Sequence, residues 1–90
     1  MNSENFADTK EARLYLRRTF AKYDAVVLLA SQLHDKWFEN PEKVDEIVQV
    51  RDNLRKEMVK VLLNPDPSSN EIEYFADKIE EAQRLLQNFL

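Results

Sequence analysis

His34 is the single histidine of the chain, and Ser31 sits three residues before it. On a helix that spacing makes them neighbours, a hydroxyl beside an imidazole. A nucleophile relay also needs a cleft and a third group to orient the ring, but His34 is followed by Trp37 and Phe38 on an apolar face. A metal site would need further ligands, and no Glu-x-x-His or His-x-x-x-His spacing occurs. His34 therefore reads as a core-edge residue, with a pH switch as the alternative reading. Glu42, Asp45 and Glu46 pair carboxylates at one spot, but that spot is a helix start, where the macrodipole favours acidic residues. No catalytic residue, metal or cofactor is expected, and the chain reads as non-enzymatic.

Composition bounds the elements that could position any site. Ninety residues make one domain with a limited core. There is no glycine, which argues against tight hairpins and phosphate-cradling loops, since both draw on backbone with positive φ. There is no cysteine, so neither a disulfide framework nor a thiolate zinc site is available. Hydrophobic residues at 43% and charged residues at 33% fit a folded, heavily solvated helical protein. Met1 to Thr9 is polar apart from Phe6, so no signal peptide is expected and a cytoplasmic location is.

Punctuation then divides the chain into three helices. Asp8 or Thr9 caps the first, which runs to about Glu39. Asn40-Pro41 ends it and opens the second, Asn as N-cap and Pro at the first helical position. The second runs to Leu63, where the segment from Asn64 to Asn70, with prolines at 65 and 67, forbids continuation. Asn70 with Glu73 resembles a capping box for a third helix over 71–90. The expected fold class is all-α: an up-down-up three-helix bundle with a long first helix, built as a single domain and a candidate for dimerisation.

Each helix carries a core row. The third presents Ile72, Phe75, Ile79, Ala82, Leu86 and Phe89 at unbroken bundle spacing. The second presents Ile47, Val50, Leu54, Met58, Val61 and Leu62, and the first Leu16, Phe20, Tyr23, Val27, Ala30, His34 and Trp37. The second helix is shorter than the first, so the first two turns of helix one, with Leu14 and Tyr15, should overhang the bundle or be covered by a partner or a folded-back N-terminal segment.

Helix one also holds six consecutive apolar residues, Ala25 to Ala30. The run is far short of the roughly 20 residues that span a bilayer, and it is broader than a helix packed on one side requires. Leu14, Ala21, Ala25, Leu28 and Leu29 cluster opposite the core row, rimmed by Lys10, Arg13, Arg18 and Gln32. Small alanines there would admit a close second helix, so these residues form the candidate partner interface. The plainer alternative is that Leu28 and Leu29 widen the core and the alanines fill the helix.

The charged residues suggest local uses. Residues 64–90 hold two basic and six acidic side chains, which accounts for the whole net charge of −4. So acidic a chain is not expected to bind nucleic acid. Lys10, Arg13 and Arg17 form a basic stripe that, as a binding patch, could meet anionic lipid at a membrane surface, RNA or an acidic protein surface. Pairing of Arg17 and Arg18 with Glu71 and Glu73 at the start of helix three is the preferred use. Glu71, Glu73, Asp77, Glu80 and Glu81 read as a solvated face, and Arg51 as a side chain snorkelling at the core edge.

Two stretches resemble known families. Leu16-Arg17, Phe20, Tyr23-Asp24 and Val27, with Gln83 and Gln87, are similar to the helices of the all-helical chorismate mutases. His34 stands where that pattern has a second arginine, and Asn40-Pro41 breaks its first helix. That resemblance implies a small-metabolite enzyme with a polar interior pocket. Val61-Leu62-Leu63-Asn64-Pro65 followed by Asn70-Glu71 looks like a helical corner of the bacteriocin immunity proteins, which implies a toxin-neutralising bundle. From the residues themselves, the expectation is a regulatory, inhibitory or adaptor module whose partner is another protein or a second copy of the chain.

Overall fold

The computed structural model describes residues 10–90, which form three helices: α1 (Lys10–Lys36), α2 (Pro41–Leu63) and α3 (Ser69–Gln87). Each packs on both others. Phe20 and Tyr23 of α1 both meet the ring of Phe75 in α3, with centroids 5.5 and 5.8 Å apart. Near the opposite end Trp37 reaches Phe89. α1 and α3 therefore run parallel and α2 returns antiparallel to both, the up-down-up bundle that the punctuation implies. Among the described residues no helix is long and apolar enough to cross a membrane.

The helix boundaries have local causes. Pro41 disfavours a helical conformation in the residue before it, and Asn40 takes extended backbone at φ −113° and ψ 95°. Its side chain accepts the Lys43 backbone N–H at 3.3 Å, capping α2. α1 accordingly ends at Lys36 rather than near Glu39, its last turn tightening so that the Asn40 N–H reaches the Trp37 carbonyl at 2.8 Å. The capping residues expected for α1, Asp8 and Thr9, lie outside the described residues.

α3 begins two residues earlier than Asn70 and Glu73 suggest. Ser68 is the N-cap, and it forms a reciprocal capping box with Glu71. Pro67 and Ile72 occupy the positions of a hydrophobic staple, and both are buried. Anchoring apolar groups on both sides of Ser68 favours it as cap over Asn70, which has a polar residue before it. At the other end α3 closes at Gln87, short of residue 90.

The core is the α3 row with matching rows from the other helices. Ile72, Phe75, Ile79, Ala82 and Leu86 are buried as their spacing requires. On α2, Ile47, Leu54 and Val61 are buried, with Val50 and Met58 packed beside them. Leu62 is instead 64% exposed. Val61 continues the seven-residue row of Ile47 and Leu54, and its neighbour must then turn outward.

α1 is rotated from the expected row. Its buried residues are Ala12, Thr19, Tyr23, Val26, Ala30 and Leu33. The bulkier Leu16, Phe20 and Val27 reach the core from one flank and Leu29 from the other. Thr19 and Ala30, being small, let this helix approach the other two closely. The Thr19 hydroxyl is satisfied by donating to the Tyr15 carbonyl at 2.8 Å. The rotation moves His34 outward, to a side chain 45% exposed. Ala12, on the same row, is 1% exposed, so α1 is no bare overhang at that turn.

Candidate protein-interaction face

Rotation of the core row settles what the other side of α1 presents. Leu14, Arg18, Ala21, Ala25, Leu28 and Gln32 follow one another at alternating steps of four and three, and every one is exposed. Leu28 leaves 60% of its surface in solvent and Leu14 leaves 41%. Lys10 continues this row toward the start of the helix. Leu29 does not belong to it, because it is half-buried and packs against the core. Arg13 lies off its edge. The structure thus groups Leu14, Ala21, Ala25, Leu28, Lys10 and Arg18, and separates them from Leu29 and Arg13.

Small side chains shape the edge of this face. A shallow groove of about 230 Å³ runs between α1 and α3, bordered by Lys22, Ala25, Leu29, Ile79 and Gln83. A longer side chain in place of Ala25 would fill its rim. Between α2 and α3 a second groove of about 300 Å³ has Val50, Leu54, Ala82 and Leu85 in its lining. Lys78 and Glu81, paired at 3.5 Å, stand at its border. Tyr74 and Leu85 are half exposed at this seam. The doublets Tyr74-Phe75 and Leu85-Leu86 carried the signal for it, since only one member of each can face the core.

The charged groups are arranged locally. Ion pairs among the described residues join His34 to Asp35, Arg51 to Asp52, Lys60 to Glu57 and Lys78 to Glu81. The expected pairing of Arg17 and Arg18 with Glu71 and Glu73 is not formed. Glu71 is turned instead toward the corner, where it accepts from Asn64 Nδ2 at 2.6 Å and from the Ser68 hydroxyl at 3.1 Å. These bonds, the Asn64 amide first, hold its carboxyl below the usual glutamate range. Arg51 snorkels: its side chain is 40% exposed and its guanidinium donates to Asp52 at 3.3 and 3.2 Å.

No group of three or more potential metal ligands is clustered among the described residues. Arg17, Gln83 and Gln87, the polar residues in the resemblance to chorismate mutases, are exposed. Thr19 is the one buried polar side chain in an otherwise apolar described interior. Leu62 and Leu63, in the corner similar to immunity proteins, are 64% and 76% exposed. Compared with protein-family models, with curated proteins and with solved structures, the chain finds no match in any of the three.

Proposed function

We propose that this chain is a small, non-enzymatic helical module that acts by protein–protein contact, as an adaptor, inhibitor or regulatory subunit, and that it associates with itself through the outer face of α1. The observation that carries this reading is the exposed row of Leu14, Ala21, Ala25 and Leu28 on the side of α1 away from the bundle. Apolar area removed from water stabilises association by about 25 cal/mol per Å² before the costs of binding are counted. A small domain with a limited core also gains from oligomerisation. A cytoplasmic location belongs to the same proposal.

Solution mass decides between a self-associating and a monomeric chain. Light scattering after size exclusion should give twice 10.7 kDa at high concentration. Ala25→Glu with Leu28→Glu should return the mass to 10.7 kDa while leaving helicity and melting temperature near their starting values. Unfolding of that double variant would overturn the interface assignment. A monomer at every concentration would favour a different partner. In that case the exposed Leu62 and Leu63 support the toxin-neutralising alternative, tested by whether Leu62→Lys with Leu63→Lys abolishes protection of cells against a pore-forming peptide toxin.

A further inference from the structure

Resting on self-association through α1, we infer that the second copy lies antiparallel to the first in one register, with Ala25 against Leu28, Ala21 against Gln32, and Arg18 against Asp35 of the other copy. A two-fold interface must be self-complementary, so each of these contacts occurs twice. The six residues form a single exposed row on α1. Their residue numbers add to the same total in all three pairs, so one rigid placement satisfies all of them together.

Charge selects this placement among those the row permits. A parallel pair would stack Arg18 on Arg18 and Asp35 on Asp35. The antiparallel placement that sets Ala21 against Ala25 brings Lys22 against Lys22 along one edge and Asp24 against Asp24 along the other, and points Leu28 at Arg18. Sliding a further heptad the same way sets Leu14 against Ala25 but leaves Leu28, the most exposed large apolar residue of the row, facing Glu11. Sliding one heptad the other way sets Ala25 against Asp35 and Leu28 against Gln32. The inferred register alone seats Leu28 on the small Ala25 while giving each Arg18 an opposite charge.

Both charged partners, Arg18 and Asp35, are exposed. The Asp35 side chain is 88% exposed and its ion-pair neighbour is His34 at 4.0 Å. None of the ion pairs among the described residues includes Arg18. From Arg18 to Asp35 the shared length is roughly 26 Å at 1.5 Å per residue. The same placement brings Phe38, 68% exposed at the α1–α2 corner, level with the Leu14 end of the other copy.

The chain has no cysteine, so single introduced thiols report the register directly. Ala21→Cys mixed with Gln32→Cys should give a disulfide-linked dimer under mild oxidation, while Ala21→Cys alone should not, its two thiols lying about 16 Å apart along the axis. Arg18→Asp or Asp35→Arg alone should raise the dimer Kd about tenfold, and the double swap should restore it. Cross-linking of Ala21→Cys to itself would overturn the antiparallel placement. Cross-linking of Ala21→Cys with Ala25→Cys in its stead would overturn the register. A dimer by mass that forms none of these links would also overturn the inference while leaving self-association standing, whereas a monomeric parent chain would remove the reading on which it rests.

Discussion

The indole N–H of Trp37 donates to the carbonyl of Phe89 at 2.8 Å, joining the end of α1 to the residues just after α3. Lys36 reaches the same strip of backbone, its Nζ 2.8 Å from the Leu90 carbonyl oxygen. Lys43 lies over both rings, 4.8 Å from the centroid of Trp37 and 5.7 Å from that of Phe89. One end of the bundle is thus closed by two aromatic side chains that share one ammonium group.

Removing this closure should loosen the bundle measurably. Trp37→Phe loses the hydrogen bond while keeping an aromatic ring, and should cost about 1 kcal/mol. Lys43→Ala should cost up to about 1 kcal/mol through the lost cation–π contacts. Urea unfolding followed by helical circular dichroism checks both, and in Lys43→Ala the single tryptophan adds a fluorescence probe of that end.

The capping position can be tested by two substitutions two residues apart. Ser68→Ala removes the N-cap of α3 and should destabilise the protein by about 1 kcal/mol. Asn70→Ala changes an exposed residue in the first turn and should move stability by less than about 0.5 kcal/mol. A reversed order in thermal melts would place the helix start at Asn70 after all.

At low pH the same corner should show its charge. Glu71 has a folded pKa below its ordinary 4.5, chiefly because Asn64, and then Ser68, hydrogen-bond to the carboxylate. The unfolded chain therefore binds the proton first, and the stability that Glu71 contributes is present above 4.5 and lost as pH falls through the lower folded value. Glu71→Gln should flatten this part of the acid limb in melting temperature against pH.

At high pH Tyr15 should act in the opposite sense. Burial first, then the carboxylates of Glu73, Asp77 and Glu80, raise its pKa above the ordinary 10.0. Its contribution is complete below 10.0 and is lost as pH rises through the folded value, because the unfolded chain ionises first. Tyr15→Phe should weaken that alkaline loss, read from melts alongside ultraviolet titration of the phenolates.

Thr19 offers a test of the core itself. Its hydroxyl bonds to the Tyr15 carbonyl within an apolar layer, and α1 would retain its backbone bonds without it. Thr19→Val should therefore stabilise the fold by up to about 1 kcal/mol through added apolar burial. A loss of stability would show that the hydroxyl is needed to hold α1 in its rotation.

Helix existence and the corner at Asn40-Pro41 were legible in the residues because their causes are local. A cap, a proline and a 3-4 spacing act within a turn or two, and α3, with one apolar row, left no choice of face. α1 offered several. With Val26, Val27, Leu28, Leu29 and Ala30 contiguous, adjacent rows were almost equally apolar, and periodicity alone favoured the one through Phe20, Val27 and His34.

Tertiary packing made that choice. Fitting α1 against two helices at once placed small residues, Ala12, Thr19 and Ala30, on the line facing the bundle, and moved larger groups to the flanks. The same rotation assigned Leu29 to the core and left Ala25 and Leu28 outside. Between the adjacent leucines and valine of α2 it was again the seam that turned Leu62 outward. Sequence by itself determined the three helices, their order and the α3 seam, because short-range geometry governs them. Which face of α1 remains for a partner depended on volumes contributed by all three helices, and only the assembled bundle decides it.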